Sequence, residues 1–256
     1  MRMAPSPLLS KIYAESATQL YDILKKEKIE VPRVTRGRTR EHRERYMVAR
    51  LLATIATSGR LSYPITITHG DKPDFSLSMS SGTIGIECVE AVPEEWYEIE
   101  AMRERGQIES ASFSWHFVPG VRQLSVEQKR AIAAGTLAGP PWVGKMPENQ
   151  WARAMAYFIQ TKSAKLQAGN YGKNTETWLL IQDEWRVPIY GRAELLSAAK
   201  KCLSQISRAL NPGRHFELIF ICSGETLIIF EKEKIHSQSI KNLWPLTPEQ
   251  NESNCT

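Results

Sequence analysis

The sequence has few of the features that define several common classes of protein. Its four cysteines lack CxxC spacing and its five histidines lack HxH or HxxxH spacing, so we expect no zinc site. It contains neither a GxSxG segment nor a glycine-rich phosphate loop, which argues against a serine hydrolase and a nucleotide-driven motor. No run approaches about 18 apolar residues, and the first residues lack an apolar signal segment. We therefore expect a cytoplasmic protein with no membrane partner.

Positive charge is concentrated in one short segment. Lys and Arg exceed Asp and Glu by 33 to 28, which is a modest imbalance for the whole chain. Residues 33–50, however, carry a run of arginines: Arg33, Arg36, Arg38, Arg40, Arg43, Arg45 and Arg50. Such a run either forms a solvated face or binds phosphate, because guanidinium groups match phosphate oxygens in a fork. The candidates for contacts with a nucleic-acid backbone are Arg33, Arg36, Arg38, Arg40 and Arg43.

Hydrophobic periodicity predicts a mixture of helices and strands. Helical spacing predicts helices over about 40–58, 93–105, 148–168 and 192–210, and one helix or a broken pair of helices over 7–27. A capping-box pattern from Ser125 predicts a short helix ending near Ala134. Alternating or continuous apolar runs predict three strands within 63–90, a buried strand at 177–182, and a hairpin at 215–222 and 225–231. The fold class is α/β (α+β), with a mixed β-sheet flanked by helices.

The same pattern divides the chain into segments. An Arg-rich helical segment covers 1–60, and an α/β core covers 61–240. Residues 106–148 form an irregular insertion in that core that could be a lid or a partner surface. A polar tail follows at 241–256.

Two carboxylates stand out in the first group of strands. Asp74 opens the second strand of the predicted meander, and Glu87 lies near the end of the third. Acids on neighbouring strand ends suit a hard divalent cation, which prefers oxygen ligands. The alternative is that these are two unrelated acids at strand ends.

Pro73-Asp74 followed by Glu87-Cys88-Val89 resembles the PD-(D/E)XK nuclease superfamily. In that superfamily the two acids lie on adjacent strands of a meander, and a lysine normally stands two residues after the second acid. Here that position is Val89, a departure from the pattern. The resemblance covers 63–91 and 150–182, and it implies a restriction-endonuclease-like core.

Some members of the superfamily carry the lysine on a following helix. Lys162 lies on the apolar face of the predicted 148–168 helix, and Lys165 is the alternate candidate. A helix packed over the face that Glu87 and Val89 share would bring such a lysine to the missing position. The alternative is a lysine that snorkels at the helix edge.

The resemblance implies hydrolysis of phosphodiester bonds in DNA with Mg²⁺ or Mn²⁺. Asp74, Glu87 and the backbone carbonyl of Cys88 would hold the metal, and Lys162 would orient the attacking water. A further acid on the preceding helix would be Glu44 or Glu41, and the alternative is that either acid simply balances the arginines around it.

Val89 favours a rival hypothesis. In that hypothesis the chain is a catalytically inactive nuclease-fold protein that binds nucleic acid or a protein partner. A third hypothesis is a basic adaptor whose arginines recruit an acidic protein. A homodimer is compatible with each of the three.

Overall fold

The computed structural model describes residues 11–108, 115–169, 174–206 and 215–244. Its eight strands form one mixed sheet in which spatial order follows chain order. The strands are β1 (Lys11–Ala14), β2 (Ile65–His69), β3 (Phe75–Met79), β4 (Gly82–Ala91), β5 (Glu176–Asp183), β6 (Leu218–Ser223), β7 (Thr226–Glu231) and β8 (Lys234–Ser239). The helices are α1 (Ala17–Lys26), α2 (Arg40–Ile55), α3 (Trp96–Gly106), α4 (Val126–Ala133), α5 (Met146–Gln167) and α6 (Arg192–Ile206). The predicted fold class is confirmed.

The sheet has a parallel centre between antiparallel flanks. The strands β1 to β4 pair antiparallel with one another, β4, β5 and β6 pair parallel, and β7 and β8 continue antiparallel from β6. The parallel connections pass through helices, with α3 to α5 between β4 and β5 and α6 between β5 and β6. The predicted meander and the predicted central strand are therefore both present.

The helices cover both faces of the sheet. In β5, Trp178 and Leu180 belong to the core beneath α1 and α2. Leu179 and Ile181 belong to the core beneath α5 and α6. This burial on both faces explains why the β5 sequence is a continuous apolar run rather than an alternating one.

The beginning of the chain differs from the predicted 7–27 helix. Residues 7–10 lie outside the described part, and residues 11–14 form β1, paired with β2. The Ser16 side chain accepts the Gln19 N–H and so starts α1 only at Ala17. Pairing with β2 buries Ile12 and Ala14, and this tertiary contact overrides the local helical spacing.

The other end of the chain also differs from expectation. The strand β8 was not predicted, because its side chains are mostly half-exposed and give only a weak alternation. Ile240 and Leu243 are buried in the core, so the tail begins later than 241. Residues 245–256 and the 207–210 end of the predicted sixth helix lie outside the described part.

None of the helices in the described ranges is long and apolar enough to cross a membrane.

Candidate active site

The site forms where β4 extends beyond β3. The pairing of β3 with β4 stops at Phe75 and Ile86, whereas β5 accompanies β4 as far as Ala91. One edge of β4 after Ile86 is therefore free of β3. Asp74, the residue just before β3, reaches this edge, where its Oδ2 accepts the Cys88 N–H at 2.7 Å.

Glu87 faces the helix that carries the predicted lysine. Cys88 belongs to the core beneath α2, and Val89 packs on the core beneath α5. Because side chains alternate along a strand, Glu87 points with Val89 towards α5. There Lys162 Nζ donates to Glu87 Oε2 at 3.0 Å. The lysine that contacts Glu87 therefore comes from α5, as predicted.

Lys165 lies elsewhere on α5. Its side chain is exposed, whereas the Lys162 side chain is only 14% exposed beside the buried Glu87. The helix thus brings Lys162, and not the alternate candidate, to the acid. Val89 fills the usual lysine position with an apolar contact to the α5 side of the core.

The first turn of α2 brings further charges to Asp74. Thr39 caps this helix by accepting the His42 N–H. The next residue, Arg40, donates from Nη2 to Asp74 Oδ1 at 2.5 Å and from Nε to Glu44 Oε1. The other carboxylate oxygen of Glu44 lies 3.1 Å from His69 Nε2.

Of the two candidate accessory acids, the structure brings Glu44 to the site. Its side chain is buried between Arg40 and His69. Glu41 is more than half exposed and pairs with Arg45 one helical turn away. The roles of Arg40 and His69 at this position were missed. His69 stands opposite Phe75 in the meander, so strand register could have placed it beside Asp74.

The site concentrates negative charge in a buried position. Burial raises the pKa of the Asp74 carboxyl to about 6, opposed by the hydrogen bond from Cys88. The neighbouring carboxylates of Glu87 and Glu44 raise this pKa further, and Lys162 lowers it. Burial also raises the pKa of the Cys88 thiol, which makes that sulfur an unreactive core group. Arg40 and Lys162 supply positive charge to Asp74 and Glu87 in this site.

The predicted metal ligands are all oxygen atoms, the type of donor that a hard cation prefers. Within the described ranges Glu87 Oε1 is buried without a hydrogen-bond partner, which leaves one carboxylate oxygen for a ligand. The N–H and C=O of one strand residue point to the same side, so the Cys88 carbonyl faces the edge occupied by Asp74. No group of three or more His, Cys, Asp or Glu side chains among the described residues could hold a metal. The predicted ligand set needs only two such side chains and a backbone oxygen.

Several arginines of the basic segment 33–50 form ion pairs or hydrogen bonds within the protein. Arg38 pairs with Glu100 at 3.4 Å and donates from Nε to the Pro32 carbonyl. Arg43 donates to both Glu90 and Tyr97. Arg33, Arg36 and Arg40 are exposed, and Arg40 also pairs with Asp74 and Glu44. At least three of the predicted nucleic-acid contacts, Arg38, Arg40 and Arg43, are therefore engaged by acids of this chain.

Comparison with protein-family models, with curated proteins and with solved structures gave no match for this chain. What the chain does is therefore inferred from the contacts of Asp74, Glu87 and Lys162, together with the resemblance of the motif around them.

Proposed function

We propose that this chain is a Mg²⁺- or Mn²⁺-dependent nuclease that hydrolyses phosphodiester bonds in DNA. The observation that carries the proposal is the 3.0 Å contact between Lys162 Nζ and Glu87 Oε2. It places a helix-borne ammonium at the strand edge that Asp74 also reaches. This arrangement supports Lys162 as the substitute for the lysine that Val89 replaces in the PD-(D/E)XK pattern.

The order of elements around the site supports a restriction-endonuclease-like core. The helix α2 is followed by the meander β2 to β4, and α5 is followed by β5, parallel to β4. The acids lie on the meander and the lysine on the later helix. This is the sequence of elements that the resemblance implies.

The residues would divide the work as follows. Asp74, Glu87 and the Cys88 carbonyl would hold the cation, which supplies charge stabilisation at the phosphate and lowers the pKa of a bound water. Lys162 donates one N–H to Glu87, which fixes the carboxylate, and within the described ranges its other two N–H donors remain for a water or a phosphate oxygen. The buried surroundings strengthen each of these interactions by limiting competition from solvent.

DNA is the proposed partner because exposed arginines lie near the start of α2. Arg33 and Arg36 precede the helix whose first residue contacts Asp74, so a backbone that reaches the site can also meet them. We also propose a reducing cytosol as the location. Cys88, Cys202 and Cys222 are free thiols in the core, which is typical of proteins kept reduced.

A second candidate function is a catalytically inactive nuclease-fold protein that binds nucleic acid or another protein. The contact that favours it is the guanidinium of Arg40 on Asp74 Oδ1, where a metal would otherwise bind. Val89 in the lysine position favours it too.

Cleavage of DNA separates the two candidates. The full chain is incubated with plasmid and single-stranded DNA and with Mg²⁺, Mn²⁺ or EDTA, alongside Asp74→Asn, Lys162→Met and Lys165→Met. We expect metal-dependent cleavage that Asp74→Asn and Lys162→Met abolish and that Lys165→Met retains. Loss in Lys165→Met alone would move the lysine role to that residue. DNA binding without cleavage under all conditions would favour the inactive protein.

A further inference from the structure

Arg40 joins two buried acids from an exposed position. Its guanidinium contacts Asp74 through Nη2 and Glu44 through Nε. The Arg40 side chain is 60% exposed, whereas the two carboxylates are almost completely buried. A solvent-facing cation therefore neutralises acids that have little access to water. Such an arrangement lets the cation leave without opening the core.

The contact falls on the oxygen that a metal would need. Asp74 Oδ2 already accepts the Cys88 N–H at 2.7 Å, so Oδ1 is the oxygen available to a cation. Arg40 Nη2 lies 2.5 Å from that oxygen. A Mg²⁺ ligand bond is about 2.1 Å long. Both cations on one oxygen would lie within a few ångströms of each other and repel strongly.

We propose that Arg40 is a resident counter-cation that the catalytic metal must displace from Asp74. This inference rests on the proposed function, since it concerns the same metal site. It assigns an autoinhibitory contact between Arg40 and Asp74 to that site. In the metal-free protein the guanidinium stabilises the buried Asp74 carboxylate. On metal binding it leaves Oδ1 and turns towards solvent.

The surroundings of Arg40 make this exchange feasible. Glu44 keeps a partner when Arg40 moves, because His69 Nε2 lies 3.1 Å from its Oε2. Glu87 keeps Lys162 at 3.0 Å, so the second acid needs no new counter-charge. Arg40 gives up its contacts with Asp74 and Glu44, and a metal ligand bond replaces the one on Asp74. The inference therefore predicts competition at Asp74 and no rearrangement of α5.

Removal of the guanidinium should tighten metal binding. In the wild-type protein the hydrogen bond between Arg40 and Asp74 must be broken before the metal binds. The net free energy of such a charged hydrogen bond is at the lower end of its usual range when one partner is exposed to solvent. We expect Arg40→Gln to bind Mn²⁺ about tenfold more tightly than wild type. Arg40→Lys keeps the charge and should remain closer to wild type.

Isothermal titration calorimetry of the full chain with MnCl₂, in the absence of DNA, measures this directly. Arg60→Gln is the matched control, because Arg60 pairs with Glu231 at 2.7 Å on β7, away from Asp74. The control should leave the Mn²⁺ affinity unchanged. In thermal unfolding, Mn²⁺ should raise the midpoint of Arg40→Gln more than that of wild type, because at equal concentration a ligand that binds the folded state more tightly stabilises it more.

The outcomes distinguish this inference from the proposed function. Equal Mn²⁺ affinity in wild type and Arg40→Gln would overturn the competition and leave the metal site intact. An equal gain in Arg60→Gln would show a general charge effect and would also overturn it. No Mn²⁺ binding by wild type or by Arg40→Gln would overturn both the competition and the metal site. Tighter binding by Arg40→Gln, lost when Asp74→Asn is added, is the result we expect.

Discussion

Removal of the Lys162 ammonium should destabilise the protein through Glu87. Lys162→Met keeps most of the apolar stem but leaves the Glu87 carboxylate without its cation. Its Oε2 then loses the 3.0 Å contact, and Oε1 has no hydrogen-bond partner among the described residues. Breaking a buried ion pair on one side typically costs about 3–5 kcal/mol. Because Lys162 is 14% exposed, we expect the lower end of that range, about 3 kcal/mol.

A double-mutant cycle isolates this interaction from other effects of the substitution. Urea unfolding followed by circular dichroism gives the free energy of unfolding for wild type, Lys162→Met, Glu87→Gln and the double variant. We expect Glu87→Gln to recover most of the loss in the double variant, since a neutral amide needs no counter-charge. The coupling energy should be about 2 kcal/mol or more.

Lys165→Met serves as the control on the same helix. Its side chain is exposed, so its free energy of unfolding should stay within about 0.5 kcal/mol of wild type. A coupling energy near zero between Lys162 and Glu87, or an equal loss in Lys165→Met, would refute the inferred ion pair.

Two further predictions concern buried acids. The Asp74 pKa is raised from 3.8 to about 6, so between these values the folded state binds more protons than the unfolded state, and stability falls as pH rises. The free energy of unfolding, measured with urea at several pH values without metal, should therefore change with pH by about 3 kcal/mol less in Asp74→Asn than in wild type. The same pH dependence in the two proteins would contradict this. Asp183 accepts hydrogen bonds from Trp151 Nε1 and Ser223 Oγ, both at 2.6 Å, and so ties α5 and β6 to β5. Asp183→Ala leaves the buried Trp151 N–H and the half-buried Ser223 hydroxyl without this partner and should lower the free energy of unfolding by about 2–4 kcal/mol, whereas a loss below about 0.5 kcal/mol would contradict the role.

The regular elements could be predicted from the sequence because local signals and tertiary packing agree in them. The α5 helix shows Trp151, Met155 and Ile159 at helical spacing, and all three are buried against the sheet. The capping box at Ser125 starts α4 as predicted. The strand β1 was missed because it pairs with β2, which is remote in sequence, and this contact overrides the local helical spacing. The strand β8 was missed because its side chains are exposed or half-buried and give a weak pattern, although its partner β7 directly precedes it.

The candidate site was predictable only in part. Asp74, Glu87 and Lys162 carry signals of type and spacing, and the structure brings Lys162 within hydrogen-bonding distance of Glu87. The Arg40 contact with Asp74 spans 34 positions and depends on how α2 approaches the end of β3. Charge patterning could show only that residue 40 is basic. Charge patterning could not distinguish an arginine that is available to bind phosphate from one that is already paired with a carboxylate of the same chain.

The most direct test is a crystal structure of the full chain soaked in MnCl₂, with data collected for the anomalous signal of manganese. We expect one strong peak within about 2.3 Å of Asp74 Oδ1 and Glu87 Oε1, with Lys162 still on Glu87 Oε2 and Arg40 turned away from Asp74. Mn²⁺ absent from this edge of β4, with Arg40 still on Asp74 in well-occupied density, would contradict a metal-dependent site there.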